Sequence, residues 1–236
     1  MNIKGLTNVE EPLVLEEFLE SKTDYSSYLV HLTKDDFDYA GEFLISAKDV
    51  LDTILSETTL KAFNHFCLFS LNLEESQDVS LEDEFKVICF TETPIDQIDV
   101  FLTEVSGRNF KPKPYGLVFK KEYIKGQEGN PVFYMSKKRA KPLWKLYRTL
   151  SGKDIEQPSE EACKLLALVT VCEKGNDWHW EREWRIVGDL EFDLNDIYCG
   201  LCPAEDIDHF ENLYEPVIFI SPYWGTNKIL DKLVRR

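Results

Sequence analysis

The segment from Asp177 to Gly188, Asp-Trp-His-Trp-Glu-Arg-Glu-Trp-Arg-Ile-Val-Gly, concentrates ionisable and aromatic groups. Two of its carboxylates, Glu181 and Glu183, stand two residues apart, a spacing that puts both on one face of an extended strand. Two carboxylates held close repel when both are charged. If the pair is buried, one keeps its proton to higher pH and becomes available for acid–base work. An ordinary reading stays open beside this one: a surface ion-pair row of Glu181 and Glu183 with Arg182 and Arg185. Further polar groups follow other apolar runs, His31 and Thr33 after Tyr28-Leu29-Val30, and Thr91 and Glu92 after Val87-Ile88-Cys89-Phe90. Strand ends beside loops are where sites assemble, because a rigid backbone positions groups that the loops keep accessible. For His31 the ordinary alternative is a histidine that closes a strand by hydrogen bonding to backbone.

These residues need elements to hold them. Tryptophans at 178, 180 and 184 share one parity, which predicts a strand with Trp178, Trp180, Arg182, Trp184 and Ile186 packed inward. His179, Glu181, Glu183, Arg185 and Val187 then point together toward a cleft. On a helix the same stretch yields only a Glu181/Arg185 pair at i,i+4. Further strands are predicted at Tyr28–Thr33, Phe85–Thr91, Tyr115–Phe119, Pro131–Met135 and Val217–Ile220, from β-branched and aromatic runs bounded by Pro and Gly. Helices are predicted at Glu10–Lys22, at Ala47–Leu55 with Ser46 as cap, at Phe63–Leu71, at Ile95–Val105, at Leu143–Leu150, at Glu160–Val171 and from Asn227. Gln77–Phe85 reads as an acidic loop. The sum is one α+β domain over residues 1–236, with a mainly antiparallel sheet and helices inserted between its strands.

Composition removes several classes. With 43% hydrophobic residues the chain can bury a core, and no apolar run is long enough to span a membrane. Met1 to Thr7 lacks the apolar segment of a secretory signal, so a cytoplasmic protein is expected. Six cysteines in 236 residues do not make a disulfide framework. Cys67, Cys89, Cys163 and Cys172 read as small buried hydrophobes. Cys199-Gly200-Leu201-Cys202 has metal or redox spacing, with Asp208 and His209 following, but a structural zinc site needs four ligands and no second such pair exists. There is no Walker loop, no G-x-G-x-x-G, no H-E-x-x-H and no G-x-S-x-G elbow. A paired-acid nuclease would want a lysine after its acids, and Glu181 and Glu183 lack one. The net charge of −16 is unevenly spread. Residues 1–110 carry 7 basic against 23 acidic groups, residues 111–153 carry 12 against 2, and residues 154–236 carry 8 against 18. The basic stretch from Lys111 to Lys153 can attract a phosphate-bearing ligand or nucleic acid, or it can neutralise acidic surface within the same fold.

Taken as a series, Val87-Ile88-Cys89-Phe90-Thr91-Glu92-Thr93-Pro94, Pro114-Tyr115-Gly116-Leu117-Val118-Phe119-Lys120-Lys121, Gly129-Asn130-Pro131-Val132-Phe133-Tyr134 and Trp178 to Gly188 resemble the AbiGi-type abortive-infection proteins. These are bacterial phage-resistance components, often described as antitoxins. The resemblance covers about Tyr28 to Gly188. It implies antiviral defence or a toxin–antitoxin pair, with a protein partner encoded nearby, and says little about chemistry. A fainter resemblance is to ADP-ribosyltransferases of the histidine–tyrosine–glutamate kind. It implies an ADP-ribosyltransferase-like fold with NAD as substrate and transfer to a protein or nucleic-acid target. Residue by residue, His31 and Thr33 would hold the ribose, Phe90 and Thr91 would line the nicotinamide site, and Glu183, or Glu181 in its place, would be the catalytic acid. Phe90 departs from the pattern, since it lacks the hydroxyl of the usual tyrosine. The competing implication is a noncatalytic antitoxin or interaction module that binds a partner toxin.

Overall fold

A computed structural model describes residues 25–38, 40–63, 85–103, 111–150, 160–172 and 178–234. The helices expected at Glu10–Lys22 and Phe63–Leu71 and the loop at Gln77–Phe85 lie wholly or almost wholly outside them.

In chain order the strands are β1 (Tyr28–Leu32), β2 (Asp36–Phe37), β3 (Phe43–Ile45), β4 (Thr59–Leu60), β5 (Val87–Thr91), β6 (Gly116–Lys120), β7 (Asn130–Pro131), β8 (Phe133–Ser136), β9 (Val169–Cys172), β10 (Glu183–Val187), β11 (Leu190–Glu191), β12 (Ile197–Leu201) and β13 (Phe219–Ile220). The helices are α1 (Ala47–Glu57), α2 (Ile98–Phe101), α3 (Lys121–Gly126), α4 (Lys137–Leu150), α5 (Glu160–Ala167), α6 (Ile207–Leu213) and α7 (Thr226–Val234). Among the described residues one sheet has seven strands in the order β13-β12-β6-β1-β5-β10-β7. Its pairings are antiparallel except β12 with β13. Two-stranded ladders β4–β11, β2–β3 and β8–β9 stand beside it. The chain is therefore an α+β protein with a mainly antiparallel sheet. None of its described helices is long and apolar enough to cross a membrane.

The central strands are apolar on both faces because both faces are covered. On one, Leu29, Ile88, Phe90, Leu117, Phe119, Trp184 and Ile186 pack with Leu51 and Leu55 of α1, Ile124 of α3 and Phe210 of α6. On the other, Val30, Leu32, Val118, Cys199 and Leu201 pack with Ile98 and Phe101 of α2 and Ile229 of α7. Strand β6 can lie close to β1 because residue 116 is glycine. A Cβ there would sit 2.2 Å from the His31 carbonyl oxygen. Helix α1 starts where the Ser46 hydroxyl accepts the Asp49 amide proton, as its sequence predicts.

Several elements differ from expectation. Residues 160–171 are not one helix: α5 ends at Ala167 and β9 begins at Val169, where β-branched Val169, Thr170 and Val171 pair in parallel with β8. The span from Ile95 is a 3-10 turn followed by the single turn of α2. Helix α4 begins at Lys137 and runs through Pro142, rather than starting after it. The tryptophan segment is a strand only from Glu183. His179–Glu181 form a 3-10 turn that ends at Arg182 with φ +47°, a left-handed residue that breaks the two-residue alternation. Trp184 and Ile186 do pack inward, whereas Trp180 is 43% exposed against Phe101 and Trp178.

Candidate functional site

Strand β5 lies between the strands that carry the predicted residues, and register fixes which face each one takes. Thr91 is the partner of Val30 on β1 and of Glu183 on β10. Because side chains alternate, Thr91, Glu183, Cys89 and Arg185 share one face with Val30. His31 takes the other face with Phe90, whose ring it meets edge-on at 5.7 Å. The histidine and the candidate catalytic acid are thus on opposite sides of the sheet. Thr33 stays with the His31 side, and Thr91 with the Glu183 side.

On the His31 side the groups are engaged within the fold. His31 Nδ1 donates to the Cys89 carbonyl at 2.9 Å, and burial holds its pKa below the ordinary histidine value. Thr33, buried, donates its hydroxyl to the Ala47 carbonyl at 2.9 Å, tying β1 to the start of α1, with the Tyr115 carbonyl at 3.2 Å. Phe90 is 2% exposed and packs edge-on against Phe119 at 6.2 Å, so its ring is core and offers no open face for stacking.

On the Glu183 side the carboxylate is the partner of a buried guanidinium. Arg185, 2% exposed, donates Nε to Glu183 Oε1 at 2.8 Å and an Nη to Oε2 at 3.0 Å. It further donates to the Ala167 carbonyl at 2.8 Å and to the Thr170 hydroxyl at 3.0 Å. The bidentate pair with Glu183 lies within β10, and the bonds from Arg185 to Ala167 and Thr170 tie β10 of the main sheet to the α5–β9 segment. The Tyr134 hydroxyl accepts the Glu183 amide proton at 3.4 Å, and burial raises the Tyr134 pKa. The Cys89 thiol, between the two ionic groups, is pushed well above its ordinary value, first by burial and then by the Glu183 charge. Glu181 lies in the 3-10 turn, where its carbonyl accepts the Thr91 hydroxyl at 2.7 Å. The two glutamates do not form a strand-face pair, because the turn at Arg182 separates them.

Glu92, next to Thr91 in the chain, is a heavily bonded carboxylate of this region. Its Oε1 accepts from Lys121 Nζ and from Arg182 Nη2, each at 2.9 Å, and its Oε2 accepts from Trp184 Nε1 at 2.8 Å. Lys121 is buried, with its ammonium 3.9 Å from the Tyr25 ring centre. No spacing in the sequence joins Glu92, Lys121 and Trp184. Only the ladder order brings them together.

The basic stretch divides. Lys113 pairs with Asp35, Lys121 with Glu92 and Lys125 with Glu122, so this half neutralises acidic groups of the same fold. Lys138, Arg139 and Lys141 are exposed on α4. The cysteine pair is no site: Cys199 belongs to one core face and Cys202 to the other, as two residues three apart on an extended chain must. Burial raises the Cys202 thiol to about 12. Among the described thiols Cys199 and Cys202 are buried and Cys89 and Cys172 half-buried, while Cys67 and the Cys163 side chain lie outside the described residues. Among the described residues no group of three or more His, Cys, Asp or Glu side chains is placed to hold a metal ion. An open groove is lined by Glu57, Thr58, Tyr123, Glu191, Asp193 and Asp196, none of them a predicted site residue. Its Asp193 and Asp196 form a reciprocal cap on their own 3-10 turn.

Comparison of the chain with protein-family models, curated proteins and solved structures finds no match.

Proposed function

We propose that this chain is a noncatalytic binding component of a bacterial phage-defence or toxin–antitoxin pair, and that it engages a basic protein encoded beside it. The defence context is what the AbiGi resemblance implies. The observation that favours binding over transfer is the register of β1, β5 and β10, which separates His31 and Phe90 from Glu183 and Thr91. Groups that act on one ligand must come within hydrogen-bond reach of it. Glu183 is the counter-charge of buried Arg185, and Thr33 bonds main-chain carbonyls. A net charge of −16 opposes docking on nucleic acid and favours a cationic protein.

The test is co-expression with the product of the adjacent reading frame. A stoichiometric complex is expected, together with no release of nicotinamide when the purified chain is incubated with NAD. Nicotinamide release that Glu183→Gln abolishes would restore the transferase reading. Absence of any complex would overturn the binding reading.

A further inference from the structure

Strands β2 and β3 form a hairpin that no other described element covers. Asp36 pairs with Ile45 and Phe37 with Phe43, with a bulge between the two pairs. Residues 36–38 and 40–44 are all exposed. Phe37 is 52% exposed, and Phe43 and Leu44 are each 59% exposed. The two phenylalanine rings meet edge-on at 5.9 Å. Three large apolar side chains thus stand in solvent on one small ladder. Leu44 takes the face of β3 opposite Phe43, so the contiguous apolar feature is the Phe37–Phe43 pair, and scattered single hydrophobes need no explanation whereas such a pair does.

The hairpin is nonetheless firmly built. At its tip Asp38 Oδ1 accepts the amide protons of Ala40 and Glu42, both at 2.8 Å, and Gly41 supplies the left-handed residue that closes the turn. At its base Asp35 Oδ1 accepts the Ala47 amide proton at 2.9 Å, and Asp35 also pairs with Lys113. Thr33 bonds the Ala47 carbonyl across the same base. An isolated two-stranded hairpin is marginal in water, so these bonds support an element that gains little burial among the described residues. An aromatic ring has few side-chain torsions to lose on docking, and aromatic residues are among those that dominate interface energy.

Charge identifies the occupant. Between Asp36 and Ile45 the side chains charged at neutral pH are Asp36, Asp38 and Glu42, all acidic, with Lys34 reaching Asp36 at 3.9 Å from outside the ladder. Such a rim repels nucleic-acid phosphates and anionic lipid headgroups. A second copy of this chain would bring another −16 of net charge to the contact. We infer that the β2–β3 hairpin is the docking element for the partner protein, inserting Phe37 and Phe43 into an apolar groove edged by lysine or arginine. This rests on the binding reading above, and adds to it where contact is made and what chemistry the partner presents.

The experiment measures affinity for the adjacent reading-frame product with purified full-length chains. Phe37→Ser/Phe43→Ser is expected to weaken the complex at least 100-fold while leaving the melting temperature of the free chain within a few degrees. Leu230→Ser, at an exposed apolar residue of α7, is the control and should change affinity less than threefold. Asp36→Lys/Glu42→Lys keeps the apolar pair and the turn. It should slow association at least tenfold at low salt, with the difference shrinking as salt is raised. If a complex forms and neither hairpin variant weakens it, the hairpin inference falls while the binding reading stands. If no complex forms, both fall. If the free chain is dimeric and Phe37→Ser/Phe43→Ser makes it monomeric, the hairpin is a self-contact and the inference is overturned.

Discussion

At the scale of single residues, identity pointed to chemistry, while location decided that most of the groups serve the fold. Glu183 illustrates this. Its sequence context offers a free acid, yet the structure places it 2.8 Å from a buried arginine. Removing one partner of a buried pair leaves the other uncompensated, which costs about 3–5 kcal/mol. Glu183→Gln is therefore expected to destabilise the protein by about 3 kcal/mol in urea unfolding. Glu183→Gln/Arg185→Met should recover much of the loss, because it leaves no orphaned charge. A single variant as stable as the wild type would show that Glu183 is not holding Arg185. His31 yields a second prediction. Burial depresses its folded pKa below the ordinary value of 6.5. Above that pH both states are neutral at position 31 and its ionisation adds nothing. As pH falls through 6.5 the unfolded chain binds a proton that the folded chain refuses, so stability drops until the depressed folded value is reached. The loss of stability between pH 7.5 and 5.5 should be smaller in His31→Gln than in the wild type, and equal losses would reject a lowered His31 pKa.

At the scale of elements, the legible strands were those with local signals. β1, β5 and β6 appear close to where their apolar runs and proline or glycine boundaries place them, and α1 starts at its serine cap. The tryptophan segment was half legible. Parity described Glu183–Val187 correctly, but a left-handed arginine has no signature in side-chain spacing, so the turn before it was hidden. β9 was missed because Val169–Cys172 continues the apolar period of α5 directly, and a short apolar run does not distinguish helix from strand. The split of the candidate site was not legible at all. It follows from pairing register, which depends on contacts distant in sequence. The ends of α1 permit a paired test. Ser46→Ala removes the acceptor for the Asp49 amide and should cost about 1 kcal/mol. Thr58, its C-cap, sits at φ +47°, a conformation costly for a β-branched residue and free for glycine. Thr58→Gly should stabilise by about 1 kcal/mol, and chemical unfolding of both variants reads the two signs against one wild type.

At the scale of the whole molecule, charge is the property on which fold and proposed function meet. Lys113–Asp35 and Lys121–Glu92 stitch the basic middle to the N-terminal acidic flank, and Lys48–Asp206 joins the two flanks, so part of the sequence's charge asymmetry is internal compensation. The net −16 that persists is self-repulsion within a compact body, and the same field would steer a cationic partner. These two consequences respond oppositely to salt. Exposed ion pairs contribute little, about 0–1 kcal/mol each, and the pairs Glu92–Lys121 and Glu183–Arg185 are buried enough to be weakly screened. Screening should therefore relieve repulsion more than it weakens attraction. The melting temperature of the free chain is expected to rise as sodium chloride goes from 20 to about 300 mM, across which the Debye length falls from about 20 to about 6 Å. Over the same range the complex with the basic partner should weaken, chiefly through slower association. A melting temperature that falls with salt would mean that surface ion pairs outweigh the net charge, and would remove the electrostatic ground for a cationic partner.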